Sequence, residues 1–122
     1  FTGQKKVDEL PAYITAYDVC INPQMVNDIT DGNYPLKIDE YLAMGKPTVA
    51  TSTHTMRHIF ADHTHLATNP EEWLSAIDRA VTEADDKELA KQRIAFAETH
   101  SWGHSVKKIY GIIDNFLKEK AT

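Results

Sequence analysis

The chain has 122 residues, a formal charge of −5 at pH 7 and an isoelectric point near 5.6. This length suits one domain with its own core and is too short for two. The acidic balance argues against a general affinity for nucleic acid, and no apolar run approaches the roughly 18 residues of a membrane span.

The N-terminal segment and the single cysteine, Cys20, bear on where the protein is located in the cell. The opening segment does not resemble a secretory signal. Because the sequence does not begin with Met and residues 1–3 resemble the end of a strand, we expect the native N-terminus to lie upstream. Cys20 is the only cysteine, which excludes an internal disulfide, and its apolar neighbours predict a small buried hydrophobe. A reducing, cytoplasmic location fits this composition best.

The first third of the chain predicts a helix, a strand and a loop. Residues 7–17 form a short amphipathic pattern, with Leu10, Ile14 and Tyr17 near one face. Residues 19–21 are a brief apolar run that Pro23 closes, which is typical of a buried strand. The polar stretch 24–33 is long for a loop between a strand and a helix, and long loops are often functional.

Residues 34–47 carry the clearest local pattern in the sequence. Pro35 suits the first turn of a helix, because its missing N–H would be unpaired there. Gly45 suits the position just past the end of that helix, and Pro47 prevents its continuation. The apolar run 48–51 then predicts a second buried strand, so that strand, helix and strand indicate a parallel pair with a crossover helix.

The last part of the chain is predicted to be mainly helical. We expect one or two helical turns around residues 56–60 and a short strand at 65–68. Asn69 reads as the N-cap of the next helix, with Glu72 placed to reach back as a capping box. Two more helices are expected, at about 86–98 and from Ser101 onward. The last has apolar residues at helical spacing: Val106, Ile109, Tyr110, Ile113, Phe116 and Leu117.

These elements predict an α/β fold, a partial Rossmann-like parallel sheet of about three strands with flanking helices. Ligands of such sheets bind outside the carboxyl ends of the strands, where the helix after Pro35 begins. Free amides at Leu36, Lys37 and Ile38, with the charge of Lys37, suit a phosphate. Glu40 shares a face with Lys37 and can accept hydrogen bonds from sugar hydroxyls. On the helix pattern alone, an exposed ion pair between Lys37 and Glu40 is the simpler interpretation.

Four histidines lie close together in the sequence, at 54, 58, 63 and 65. A metal site needs convergent ligands and supporting hydrogen bonds, and the segment from His54 to His58 lacks the glutamate of the metalloprotease helix motif. We therefore expect surface histidines and no metal site.

The blocks 1–3, 9–13, 18–23 and 35–51, followed by Ser101-Trp102, resemble in order the C-terminal domain of retaining GT-B glycosyltransferases of the group 1, or family 4-like, type. The match covers almost the whole chain. It implies that residues 1–122 are the later part of the nucleotide-sugar-binding domain. The acceptor domain, the first part of the Rossmann half and the family's phosphate-binding Arg and Lys would then precede Phe1.

The resemblance also implies roles for individual residues. Glu40 matches the second of two glutamates separated by seven residues, which binds ribose hydroxyls, and Leu36 and Lys37 match the helix start that meets the diphosphate. The loop ending at Tyr34 matches the segment that faces the transferred sugar. Gly32 stands where the first glutamate belongs. Either Asp31 substitutes for it after a one-residue shift, as a candidate catalytic residue, or the role is absent.

The expected function is therefore that of a glycosyltransferase fragment, which binds the nucleotide-sugar donor and needs no cofactor. In the full protein the sugar would pass to a glycan, a lipid or another acceptor, as in polysaccharide biosynthesis. We expect the isolated chain to be inactive and its unpaired sheet edge to favour a dimer. Peripheral membrane association of the full protein stays open. The alternatives are a non-catalytic nucleotide-binding or protein-interaction module, or another GT-B enzyme such as a sugar-nucleotide epimerase.

Overall fold

The computed structural model describes all residues, 1–122, and contains three strands and five α-helices. In chain order they are α1 Leu10–Thr15, β1 Cys20–Asn22, α2 Leu36–Ala43, β2 Thr48–Thr51, β3 His65–Ala67, α3 Pro70–Thr82, α4 Lys87–Glu98 and α5 Trp102–Ala121. Three short turns complete the set: 3₁₀ turns at Val7–Glu9 and Ala61–His63, and a π-helical turn at Met56–Phe60.

The strands form one parallel sheet in the order β1-β2-β3, which confirms the predicted α/β class. Ile21 lies opposite Val49, and Val49 lies opposite His65. All four residues of β2 are buried, as a strand covered on both faces requires. β1 and β3 are paired on one side only, so both outer edges carry backbone groups without a strand partner.

Successive residues of β2 supply the cores on the two faces of the sheet, because side chains alternate along a strand. Ala50 lies in a cluster with residues of α2, α4 and the π-helical turn, whose buried members are Ile38, Leu42, Met56, Phe60 and Ala97. Val49 lies on the other face with Ala67 of β3 and with Ala76 and Ala80 of α3. Helices therefore cover both faces of the sheet, as in a doubly wound fold.

The predicted boundaries of the first elements shift by a few residues. The helix expected over 7–17 is a 3₁₀ turn followed by α1, which ends at Thr15. The hydroxyl of Thr15 donates to the carbonyl of Pro11 at 2.8 Å, and Tyr17 lies beyond the helix with half its surface exposed. The strand expected at 19–21 is β1, one residue further along.

The start of α3 differs from a capping box in one hydrogen bond. Asn69 is the N-cap as predicted, since its Oδ1 accepts from the N–H of Glu72 at 2.9 Å. The carboxylate of Glu72, however, accepts from the N–H of Thr68 at 2.7 Å and not from that of Asn69. This bond satisfies the N–H of Thr68, the residue that follows β3. β3 ends at Ala67, one residue before the predicted limit, where its neighbour β2 also ends.

Gly45 ends α2 in the left-handed conformation that the sequence predicts, with φ of 72°. A Cβ at this position would lie 3.1 Å from the Cβ of Ala90 and 3.4 Å from Cδ1 of Ile94. The absence of a side chain therefore lets α4 approach the end of α2 closely, besides permitting the turn itself.

A buried arginine ties α4 to the elements around it. Arg93 donates to the carbonyl of Gly45 at 3.3 Å and pairs with the carboxylate of Glu83. The other oxygen of Glu83 contacts Nε2 of His65 at 2.9 Å. Glu83 thus joins β3 to α4. Its negative charge also compensates for the burial of the Arg93 guanidinium.

The last helix, α5, begins at the predicted N-cap, where the Ser101 hydroxyl accepts from the N–H of His104 at 3.3 Å. No residue of α5 is buried, so its apolar stripe lies exposed. None of the helices combines the length and the hydropathy that crossing a membrane requires.

Candidate functional site

The N-terminus of α2 lies at the carboxyl edge of the sheet, where the loop after β1 returns to the fold. The N–H of Gln24, two residues beyond β1, donates to the hydroxyl of Thr51 at the end of β2 at 2.8 Å. This bond links the loop to the central strand. The predicted position of the site therefore matches the place where parallel sheets bind ligands.

Two backbone amides at the start of α2 are free to bind a ligand. The N–H groups of Leu36 and Lys37 donate to no group in the chain, and the N-cap Pro35 offers no side-chain acceptor. The prediction of a third free amide is wrong, because the N–H of Ile38 donates to the carbonyl of Pro35 at 2.9 Å. Two unpaired N–H groups at the positive end of a helix dipole suit an anion.

Lys37 and Glu40 are exposed and form no ion pair, either with each other or with another residue. The simpler interpretation of an exposed helical ion pair is therefore not what the structure shows. Both side chains line one cavity of about 360 Å³ between α1, β1 and α2, in which eight of the ten lining residues are hydrophobic. Tyr41 lies beside them, and burial, followed by the charges of Cys20 and Glu40, raises the pKa of its hydroxyl.

Two further cavities adjoin the same helix. One of about 230 Å³ lies at Glu40 and is bordered by Val7, Leu10 and Pro11. Another, of about 270 Å³, lies at the tip of α2, where it is lined by Asn22, Gln24 and the residues from Tyr34 to Lys37. Lys37 lines both the tip cavity and the larger cavity that contains Glu40, so the free amides and Glu40 belong to one continuous surface.

Tyr34 lies in a polar cluster with Asp39 and His100. Its hydroxyl donates to one carboxylate oxygen of Asp39, and the other oxygen lies 2.8 Å from Nδ1 of His100. Burial, and then the hydrogen bond and charge of Asp39, raise the pKa of Tyr34 well above its usual value. Tyr34 therefore stays protonated and serves as a hydrogen-bonding group, not as a base.

Aromatic rings support this cluster from below. The ring of the fully buried Phe60 lies 5.5 Å from that of Tyr34 and 5.7 Å from that of His100, measured between centroids. Phe96 packs edge-on against His100 at 4.6 Å and stacks on His63 at 4.1 Å. Such contacts fix the orientation of Tyr34 and His100.

Asp31 lies away from this cluster and holds the segment after β2. Its Oδ1 accepts from the N–H of His54 at 2.8 Å, and its carbonyl accepts from the N–H of Thr55 at 3.2 Å. The carboxylate thereby caps the helical turns that begin at His54. The other carboxylate oxygen has no partner within the chain.

The four histidines differ in their surroundings. His54 and His58 are exposed, as expected, with ring centroids 4.1 Å apart. His63 and His65 are half-buried and engaged, with Phe96 and Glu83 respectively. The expectation of surface histidines is thus correct for the first two alone.

Asp39 and His100 are the residues near α2 that the sequence did not single out. They lie 61 positions apart, and no local spacing links them. Asp39 adjoins the residues of the resemblance, and His100 precedes Ser101-Trp102, but only the packing of α4 against α2 brings the two together.

Comparison with known proteins places the chain in a family. Residues 1–83 match the family model described as glycosyl transferases group 1. The chain is also 27% identical, over 112 residues, to a protein of Bacillus subtilis (strain 168) named "Putative teichuronic acid biosynthesis glycosyltransferase TuaH". That match covers 89% of this chain and 28% of the relative, so the chain spans less than a third of the relative's length. No solved structure matches the chain. By the family match, which covers more than half of its residues, the chain belongs to the glycosyl transferases group 1 family.

Proposed function

We propose that this chain is the donor-binding part of a glycosyltransferase and that the N-terminus of α2 binds the diphosphate of a nucleotide sugar. The observation that carries the proposal is the pair of free amides at Leu36 and Lys37, beside a lysine and a glutamate without partners. Anions bind well at such helix starts, and Lys37 adds a charge that the fold does not neutralise.

The nucleoside would lie along the face of α2 that carries Lys37 and Glu40. The carboxylate of Glu40 accepts hydrogen bonds, and the two ribose hydroxyls donate them. The two cavities at Glu40 are largely apolar. They are also lined by Val7, Leu10 and Tyr13, and they have room for a flat base. Family membership supports this arrangement, since Glu40 matches the glutamate that binds ribose in the resemblance described above.

The chemical contribution of this half is electrostatic. In sugar transfer the bond between the anomeric carbon and the diphosphate breaks, and negative charge accumulates on the leaving phosphate. Two N–H groups and Lys37, held in place before the reaction, would stabilise that charge more than they stabilise the intact donor. The acceptor, and the groups that hold it, would belong to other parts of the full polypeptide, since the chain spans only 28% of the relative's length.

We further propose that the full protein acts in polysaccharide biosynthesis. The name of the Bacillus subtilis relative, which refers to teichuronic acid biosynthesis, supports this step. The transferred sugar would then become part of a polysaccharide. The unpaired edge of β1 would pair with preceding strands in the full protein and favours a dimer in the isolated chain.

Calorimetric titration of the 122-residue chain with UDP and with GDP tests the donor-binding proposal. We expect at least one nucleotide to bind, and the diphosphate to bind more tightly than the corresponding nucleoside. Binding of neither, by a chain whose circular dichroism shows it to be folded, would overturn the proposal.

A further inference from the structure

A groove of about 530 Å³ lies beside the first turn of α2 and shares only Tyr34 and Leu36 with the cavities of the nucleotide site. It is bordered by the polar groups of Tyr34, Asp39 and His100 and, from α5, by Trp102 and Ser105. Leu36 and Ile59 supply its apolar borders. The groove thus joins the beginning of α2 to the beginning of α5.

One ring nitrogen of His100, a residue that borders this groove, has no hydrogen-bond partner within the chain. Nδ1 lies 2.8 Å from the Asp39 carboxylate, which can only accept, so the proton of the neutral ring resides on Nδ1. Nε2 then carries the free lone pair, and it has no hydrogen-bond partner within the chain. No side-chain nitrogen or oxygen without a partner is buried, so Nε2 is accessible to solvent.

The α5 side of the groove offers two further contacts. The Trp102 side chain is 87% exposed, which leaves the faces of its ring uncovered at the groove. The Ser105 hydroxyl makes no hydrogen bond within the chain. An uncovered indole, a hydroxyl and an oriented imidazole match the two kinds of surface on a sugar ring, its C–H face and its hydroxyl rim.

The groove and the nucleotide cavity lie on different faces of α2. Lys37 and Glu40 share one face and line the cavity of about 360 Å³ between α1, β1 and α2, whereas Leu36 and Asp39 share another face and line the groove. The tip cavity contains Tyr34, Leu36 and Lys37 and therefore connects the two. A donor with its ribose at Glu40 and its diphosphate at the tip has the groove on the far side of its phosphates.

We propose that this groove is a binding site for a pyranose ring, which stacks on Trp102 and hydrogen-bonds to Nε2 of His100 and to the Ser105 hydroxyl. The position of this ring beyond the diphosphate rests on the proposed function. Two sources share this chemistry, namely the sugar of the donor and a saccharide of the acceptor. Asp39 is a positioning residue, because it acts through the imidazole that it orients.

The experiment follows the His100 ring and Trp102 indole resonances of the isotope-labelled 122-residue chain by NMR. The probes are UDP, the UDP derivatives of glucose, galactose and N-acetylglucosamine, and the methyl pyranosides of the same sugars. Shifts with the UDP-sugars beyond those with UDP identify the donor sugar as the occupant. Shifts with the free pyranosides identify an acceptor saccharide.

Variants test the individual contacts. His100→Gln and Trp102→Ala should each weaken binding of the sugar roughly threefold to tenfold, the loss of about one hydrogen bond or one stacked ring. Neither should alter the affinity for UDP. Because Trp102 is largely exposed, its truncation should leave the fold intact. The Trp102→Ala result therefore remains interpretable even if His100→Gln perturbs packing. His58→Gln is the matched control, since His58 is an exposed histidine outside the groove.

The outcomes separate the two proposals. If UDP shifts the resonances of Lys37 and Glu40 while no UDP-sugar or pyranoside shifts those of His100 and Trp102, the groove is not a sugar site and the donor-binding proposal stands. If pyranosides shift His100 and Trp102 while no nucleotide binds, the donor-binding proposal fails and the groove is supported. Equal losses in His58→Gln and His100→Gln would also overturn the groove proposal.

Discussion

Asp31 and His54 join two loops at the carboxyl edge of the sheet, through a hydrogen bond of 2.8 Å from the backbone N–H of His54 to Oδ1 of Asp31. Asp31 belongs to the loop after β1, and His54 begins the helical turns after β2. The bond is a helix cap supplied by a residue distant in the sequence. One carboxylate oxygen therefore serves the fold, and the other has no hydrogen-bond partner within the chain.

Substitution of Asp31 separates these two uses of its carboxylate. Asp31→Ala removes the cap and should lower the free energy of unfolding by about 1 kcal/mol, whereas Asp31→Asn keeps Oδ1 and should lower it much less. Urea unfolding followed by circular dichroism measures both. If Asp31→Asn retains stability but loses nucleotide-sugar binding, the carboxylate also acts on the ligand, as the resemblance allows. Equal stability of both variants would contradict a capping role.

Glu40→Gln should weaken nucleotide binding and leave stability nearly unchanged, because the exposed carboxylate forms no ion pair in the fold. Loss of a charge-assisted hydrogen bond to ribose costs roughly 1.5–3 kcal/mol, or about tenfold or more in affinity. Titration calorimetry with UDP and GDP measures the change. Glu98→Gln, an exposed glutamate on α4, is the control. Equal affinities of Glu40→Gln and the unaltered chain would rule out the ribose assignment.

Lys37→Ala should reduce the preference for a nucleoside diphosphate over its nucleoside. In the unaltered chain that preference should shrink as salt rises, because exposed charges are screened over about 10 Å at 0.1 M ionic strength. Part of the preference should survive in Lys37→Ala, since the amides of Leu36 and residue 37 remain. The test is to measure the affinities for the nucleoside diphosphate and for the nucleoside at two salt concentrations. Lys107→Ala, on α5, is the control. A nucleoside that binds as tightly as its diphosphate would argue against a phosphate site.

Gly45→Ala should destabilise the fold by roughly 1–3 kcal/mol, because alanine at φ of 72° is strained and its Cβ would press on Ala90. Gly111→Ala is a matched control within α5, where a Cβ meets nothing within 4 Å. There alanine favours the helix and should stabilise slightly. Thermal unfolding compares the two variants, and a loss in Gly45→Ala no larger than that in Gly111→Ala would contradict the argument.

Cys20 should make stability fall at high pH. Burial, opposed by the charge of Lys46, raises the pKa of its thiol from 9.0 to about 11. Between these values the unfolded chain releases the proton while the folded chain keeps it, so this contribution is intact below pH 9 and is lost as pH rises toward 11. Urea unfolding of the chain and of Cys20→Ala across this range isolates the effect. Alkylation by iodoacetamide with a midpoint near pH 9 in the folded chain would contradict it.

The sequence by itself determined the elements whose causes are local. Pro35, Gly45 and Pro47 mark the limits of α2, and Asn69 and Ser101 cap α3 and α5, because these effects act within one turn of chain. The order of strand, helix and strand also determined a parallel sheet, with the N-terminus of α2 at its carboxyl edge. The sequence also identified the candidate ligand-binding groups, because they all lie within five residues: the helix amides, Lys37 and Glu40.

Only the tertiary structure decided which of these groups are free and which distant ones meet. Lys37 and Glu40 form no ion pair, and Oδ1 of Asp31 accepts from the N–H of His54, which is 23 residues away. Asp39 meets His100 only because α4 packs on the same face of the sheet as α2. Such pairings depend on the burial of apolar faces between elements, and no pattern of neighbouring residues records them.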